Sequence, residues 1–177
     1  MDVDGFWALI GAARLELDPG DPVAAVEEQV EVLRALLQPL GDQELLGFQE
    51  KLHEHAAHAN DWRVWAAGYL AAGGMSDDSF DYFRLWLVLQ GRTAFDQVLA
   101  DPDRLADLRW DADGEAFDAA EPFGYLVAEV LEDRGSDPGD ALVAAVAAGE
   151  PTGKPFREYD DAWFARTFPR LSARVGA

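Results

Sequence analysis

Apolar residues recur every three or four positions along most of the chain, a spacing that places them on one face of a helix. Val23, Val26, Val30, Leu33 and Leu37 are the clearest run. Period-two alternation, which is typical of a half-buried strand, does not extend over a strand's length. The pattern predicts an all-α fold with helices over 4–14, 22–38, 42–58, 60–72, 77–90, 92–100, 121–133 and 138–148, a short one after 102 and a last one from 160.

Local signals support several of these helix ends. The pairs Asp21-Pro22, Asp101-Pro102 and Asp137-Pro138 each precede an apolar stretch. An aspartate accepts hydrogen bonds from the first backbone N–H groups of a helix, and proline fits its first position. Gly73-Gly74 and Gly91 are expected to end helices. We expect a loop over residues 110–118 and an extended linker over 149–158.

The segment 77–90 is apolar nearly all round, which predicts a buried helix. A chain of 177 residues fits one domain. We therefore predict a single-domain, multi-helix orthogonal bundle built around this helix. We expect residues 1–148 to form the helical domain and residues 149–177 to supply the linker and a C-terminal helix that packs on it.

The net charge of −20, from 34 acidic and 14 basic side chains, narrows the choice of partners. Such a charge repels phosphate backbones and anionic lipid, so neither nucleic acid nor a membrane surface is expected to bind. A basic protein is the partner that the charge favours. The alternative is that the acidic coat serves solubility alone.

The chain has no cysteine, which excludes disulfides, thiolate metal sites and a cysteine nucleophile. The first residues are acidic, unlike the basic start of a secretory signal. Apolar runs are too short for the ~20 residues of a membrane span. These features lead us to expect a cytoplasmic protein.

Candidate chemistry is densest in the Gly-Gly turn and the helix after it, at Ser76, Asp77, Asp78 and Arg84. In a structural interpretation, Ser76 or Asp77 caps the helix and Arg84 forms an ion pair with Asp81, three residues earlier. In a functional interpretation, Arg84 holds an anionic group in a pocket and an aspartate acts as a base or a ligand. Both remain open, and so does catalytic activity.

The three histidines, His53, His55 and His58, lie within six positions of one another. With Glu54 they resemble a metal set, but the His-Glu-x-x-His spacing is missing. We interpret them as a solvated helix end and expect neither a metal nor a cofactor. Phosphate-loop, dinucleotide and Gly-x-Ser-x-Gly motifs do not occur either.

The chain also resembles an uncharacterised bacterial family, catalogued as the domain of unknown function number 4240. The resemblance spans residues 4–135 and is densest over 62–106. It rests on Phe6-Trp7, Trp65-Ala66-Ala67, Gly73-Gly74, Ser76-Asp77-Asp78, Phe80, Tyr82-Phe83-Arg84, Trp86-Leu87, Gln90-Gly91, Asp101-Pro102-Asp103 and Leu105-Ala106.

This resemblance implies a helical fold and a bacterial origin, and it assigns no catalytic residue. Members of the family occur beside a Trp-Gly-Arg-type domain in larger chains. Together with the acidic coat, this favours an interaction or regulatory module without catalytic activity. The alternative is a small-ligand binder or an enzyme that uses a pocket around the Gly-Gly/Ser-Asp-Asp turn and Arg84.

Overall fold

A computed structural model describes residues 1–14, 20–139 and 149–176. Ten α-helices and one 3₁₀ helix, but no strand, are found in these three ranges. The helices are α1 (Val3–Arg14), α2 (Pro22–Leu37), α3 (Asp42–His58), α4 (Trp62–Ala72), α5 (Asp77–Leu89), α6 (Arg92–Ala100), the 3₁₀ helix (Pro102–Asp107), α7 (Glu115–Asp118), α8 (Glu121–Asp133), α9 (Asp161–Thr167) and α10 (Pro169–Val175). The predicted all-α, multi-helix fold is confirmed.

Most helix ends lie within two residues of the predicted positions because the signals that set them are local. The Asp21 carboxylate accepts a hydrogen bond from the backbone N–H of Val23 at the start of α2. Gly73 ends α4 in the left-handed conformation, with φ of 69°. Gly91 directly follows the C-cap of α5 with φ of 83°, as expected, and is also the N-cap of α6. Residues 140–148, which hold most of the predicted helix 138–148, lie outside the described residues.

The loop predicted over 110–118 is wrong in its second half, where residues 115–118 form α7. The Asp111 side chain explains this short helix. Its carboxylate accepts hydrogen bonds from the backbone N–H groups of Glu115 and Ala116, at 2.9 and 2.7 Å. An aspartate that satisfies the free N–H groups of a first turn stabilises that turn.

Helix α5 lies at the centre, as predicted, with α3, α4, α6, α7 and α8 among the elements packed around it. Phe83 and Trp86 are almost fully buried on α5. Both rings contact Phe117 of α7 edge to face, with centroids 4.9 and 4.7 Å apart. Burying each of these aromatic side chains contributes about 2–3 kcal/mol, so α5 and α7 hold each other in place.

The C-terminal segment returns to the bundle. Thr152 forms an isolated parallel bridge with Asp61, just before α4. Helix α10 then packs on α4, α9 and the 3₁₀ helix. In the described part of the chain, no helix is both long and apolar enough to cross a membrane.

Candidate functional site

The candidate cluster begins at the turn between α4 and α5. Ser76 is the N-cap of α5, and its hydroxyl accepts a hydrogen bond from the backbone N–H of Ser79 at 3.1 Å. Asp77 and Asp78 follow in the first turn, where carboxylates favour the helix dipole. Ser76 is therefore occupied in holding the helix start.

Arg84 is enclosed by the protein, and its side chain is 3% exposed. One terminal nitrogen forms an ion pair with Asp81, the partner that the sequence indicated. The other donates to the carbonyl of Ala56 at 3.2 Å, in the last turn of α3. The guanidinium carbon lies 4.9 Å from the centre of the Phe80 ring. Burial lowers the pKa of Arg84, and Asp81 opposes that shift. Through its contacts with Asp81 and Ala56, Arg84 links α5 to the end of α3.

A cavity of about 180 Å³ adjoins Arg84. Asp77, Asp81 and Asn60 are its other polar lining residues, and Gly149 and Pro151 contribute to its wall. The Nε atom of Arg84 is buried and has no hydrogen-bond partner among the described residues. The structure thus brings Asp77 and Arg84 to one cavity, while Ser76 and Asp78 do not line it.

Asp78 lies instead near Tyr82, on another side of α5. One turn after Asp78 on α5, the Tyr82 hydroxyl donates to a carboxylate oxygen of Glu121 at 2.9 Å. This hydrogen bond, together with burial and the charges of Glu121 and Asp78, raises the pKa of Tyr82 to about 12. Tyr125 follows Glu121 by one turn on α8 and is 41% exposed.

Asp118 completes this surface at the end of α7. Its pKa is raised by partial removal of the carboxyl from water and by the charges of Glu121 and Asp111, while a hydrogen bond with Ser79 opposes the shift. We define the acidic face as Asp78, Tyr82, Asp118, Glu121 and Tyr125. None of its three carboxylates forms an ion pair with a cation of the described residues.

Sequence reasoning missed four of these five residues. Asp118, Glu121 and Tyr125 are distant from Asp78 in the chain, and the packing of α7 and α8 on α5 brings them together. The sequence did indicate one part of this surface: Glu121 and Tyr125 are one helical turn apart on a predicted helix and therefore share a face.

His58 is exposed at the end of α3, as predicted, whereas His53 and His55 are partly buried. His55 is half-buried, and its ring lies 5.2, 4.6 and 5.5 Å from the rings of Phe6, Trp7 and Phe95. Burial, and then the charge of His58, lowers the pKa of His55. Among the described residues, no group of three histidine or carboxylate side chains is arranged to hold a metal ion.

The chain matches a family model described as "Protein of unknown function (DUF4240)" over residues 1–133. This range includes α1 to α8 and both parts of the candidate cluster. No curated protein and no solved structure matches the chain. The match covers well over half of the sequence and confirms the resemblance seen in its motifs. The chain therefore belongs to the DUF4240 family.

Proposed function

We propose that this chain is a protein-interaction module whose acidic face binds a basic segment of a partner protein. The observation that carries the proposal is the acidic face itself. Three carboxylates and two tyrosines from α5, α7 and α8 meet there, and no lysine or arginine of the described residues neutralises them. The net charge of −20 extends the same preference over longer range.

The electrostatics of the acidic face favour a cationic ligand. Asp118 has a raised pKa partly because Glu121 and Asp111 carry the same charge. An ammonium or guanidinium group placed among these carboxylates would relieve that repulsion. Tyr125 adds an exposed ring, and arginine and lysine bind favourably over such rings. Tyrosine is also enriched at protein interfaces.

The experiment is a titration of the protein with a fluorescein-labelled octalysine peptide at physiological salt. The acidic-face variant is Asp78→Asn, Asp118→Asn, Glu121→Gln. Each exposed ion pair contributes about 0.5 kcal/mol, so losing three should weaken binding by about 1.5 kcal/mol, which is about tenfold. Fluorescence polarisation measures the change.

The matched control is Glu27→Gln, Glu28→Gln, Glu31→Gln, which removes the same number of charges from exposed positions on α2. We expect this control to change the affinity less than twofold. Equal weakening by the two variants would show that octalysine responds only to total charge, and the proposal would be wrong.

A second candidate function, small-ligand binding, is favoured by the cavity beside Arg84. The unpartnered Nε of Arg84 requires an acceptor, and Asp77 offers a carboxylate in the same cavity. Its volume of about 180 Å³ is smaller than the ~300 Å³ at which ligand pockets usually begin. Glycinamide, with one amino group and one carbonyl, is a suitable probe. It should raise the melting temperature of the wild type and not of Asp77→Asn, and an unchanged wild type would refute this candidate.

We propose the cytoplasm as the compartment, because a chain without cysteine gains nothing from an oxidising one. Fractionation of the native host checks this. Recovery of the protein in an extracytoplasmic fraction would contradict it.

A further inference from the structure

Helices α9 and α10 lie beyond the residues that match the family model, yet they are firmly docked on the matched region. Three apolar side chains, Phe164, Phe168 and Leu171, are at most 3% exposed. The Phe164 ring stacks on Tyr69 of α4, with centroids 6.0 Å apart. The segment therefore covers an apolar face made by α4 and the 3₁₀ helix.

Asp103 of the 3₁₀ helix meets the start of α10. It is 6% exposed, and a buried carboxylate is stable only when it is hydrogen-bonded. Its two oxygens accept from the backbone N–H groups of Leu171 and Arg170, at 2.9 and 3.2 Å. The acceptor belongs to the family-matched region, whereas both donors come from residues beyond it.

Arginines of α10 contact the same surface. Arg170 binds both carboxylate oxygens of Asp107, one of them at 3.1 Å. Arg174, one turn later, donates to the carbonyls of Ala106 and Leu108, the first at 2.8 Å. Its guanidinium carbon lies 3.4 Å from the centre of the Trp110 ring. Helix α10 is thus a short basic helix bound to an acidic protein.

We propose that the face formed by α4 and the 3₁₀ helix is a helix-docking site, and that α9 and α10 are its intramolecular occupant. The partner it fits is an amphipathic helix from another protein. Such a helix carries two bulky apolar residues three positions apart, as Phe168 and Leu171 are, and two arginines four positions apart, as Arg170 and Arg174 are. This partner competes with the chain's own segment for Asp103.

The proposal goes beyond the acidic face, because it concerns a different surface. A helix of seven residues is too short to persist in isolation. The docking of α10 on this face therefore depends on the high effective concentration that results from its being part of the same chain. A longer free helix with the same contacts can replace it, so the C-terminal segment controls access to the site.

The test uses the full chain and a labelled peptide with the sequence of residues 160–176. In the tail variant, Phe168→Ala and Leu171→Ala weaken the occupant and leave the docking face intact. We expect the peptide to bind this variant at least tenfold more tightly than the wild type. Adding Asp103→Ala should abolish the gain, whereas the exposed control Asp96→Ala should preserve it.

Circular dichroism and thermal melting of the tail variant accompany the titration. Loss of cooperative melting throughout the chain would show that α9 and α10 are an inseparable part of one core, and would overturn the proposal. A folded tail variant that binds no better than the wild type would overturn it equally. The acidic-face variant should bind the peptide normally. If it did not, the peptide would be using the acidic face, and the docking site would be refuted.

Discussion

Replacing Arg84 with alanine tests the structural part of this account. The substitution removes the ion pair to Asp81, the hydrogen bond to the Ala56 carbonyl and the contact with the Phe80 ring. Ala56 is in the last turn of α3, where carbonyls lack intrahelical donors. Arg84 supplies the missing donor, so its loss frees the end of α3 from α5.

The expected loss of stability follows from the groups that lose their partner when Arg84 is removed. A buried carbonyl without a donor destabilises the fold by about 1–3 kcal/mol. Loss of the ring contact adds about 1 kcal/mol. Asp81 is 42% exposed, so water hydrates its carboxylate and its unpairing adds little. We expect Arg84→Ala to lower the free energy of unfolding by about 2–4 kcal/mol, a large share of a typical 5–15 kcal/mol.

Urea unfolding followed by circular dichroism measures this change. With a urea dependence of about 2 kcal/mol per molar, the midpoint should fall by about 1–2 M. Arg84→Lys should rescue little, because lysine lacks the planar fork that reaches two acceptors. The matched control is Arg92→Ala, since Arg92 is 53% exposed in its ion pair with Asp4 and should contribute less than about 1 kcal/mol. If Arg84→Ala unfolds at the same urea concentration as Arg92→Ala, the structural role of Arg84 is refuted.

Four further outcomes are expected. The pKa of His55 is lower in the folded protein than in the unfolded chain, so the stability that its neutral form contributes is complete above about pH 6.5 and falls as the pH drops towards the folded pKa. The urea midpoint should therefore decrease more between pH 7.5 and 5.5 in the wild type than in His55→Phe. Equal decreases would contradict this. Gly114→Ala should lower the melting temperature more than Gly135→Ala, because both glycines have positive φ but only a Cβ at Gly114 meets the Cβ of Ala72, at 2.7 Å; equal losses would disprove the clash. Zinc should hardly change the melting temperature, and a multi-degree rise lost in His55→Ala, His58→Ala would reverse that expectation. Duplex DNA should not bind at physiological salt, so a salt-sensitive, sub-micromolar complex in a gel-shift assay would refute the electrostatic argument.

The helices could be predicted from sequence because their determinants are local. The spacing of Val26, Val30 and Leu33 and the Asp21 cap depend on neighbours within one or two turns. The same is true of the Arg84–Asp81 pair, which the three-residue spacing indicated. The sequence did not predict α7, because this helix is stabilised by the Asp111 side chain and four residues are too few to show a helical spacing of apolar positions.

The sequence could not predict that the candidate residues separate into two sites on α5. Asp77 and Asp78 are adjacent in the chain, but one lines the Arg84 cavity and the other lies beside Tyr82. The difference depends on what packs against each face of α5: Asn60 and Pro151 line the cavity with Asp77, whereas Glu121 of α8 binds Tyr82. For the same reason, no local pattern reveals that His55 is enclosed by Phe6, Trp7 and Phe95.

The most direct test of the acidic face as a binding surface is to map where a basic ligand binds. In an amide chemical-shift titration of the whole protein with octalysine, we expect saturable shifts at Asp78, Tyr82, Asp118, Glu121 and Tyr125. Glu27 and Glu28 of α2, which are also exposed, should shift little. Shifts spread evenly over all acidic residues, or concentrated away from α5, α7 and α8, would contradict the account.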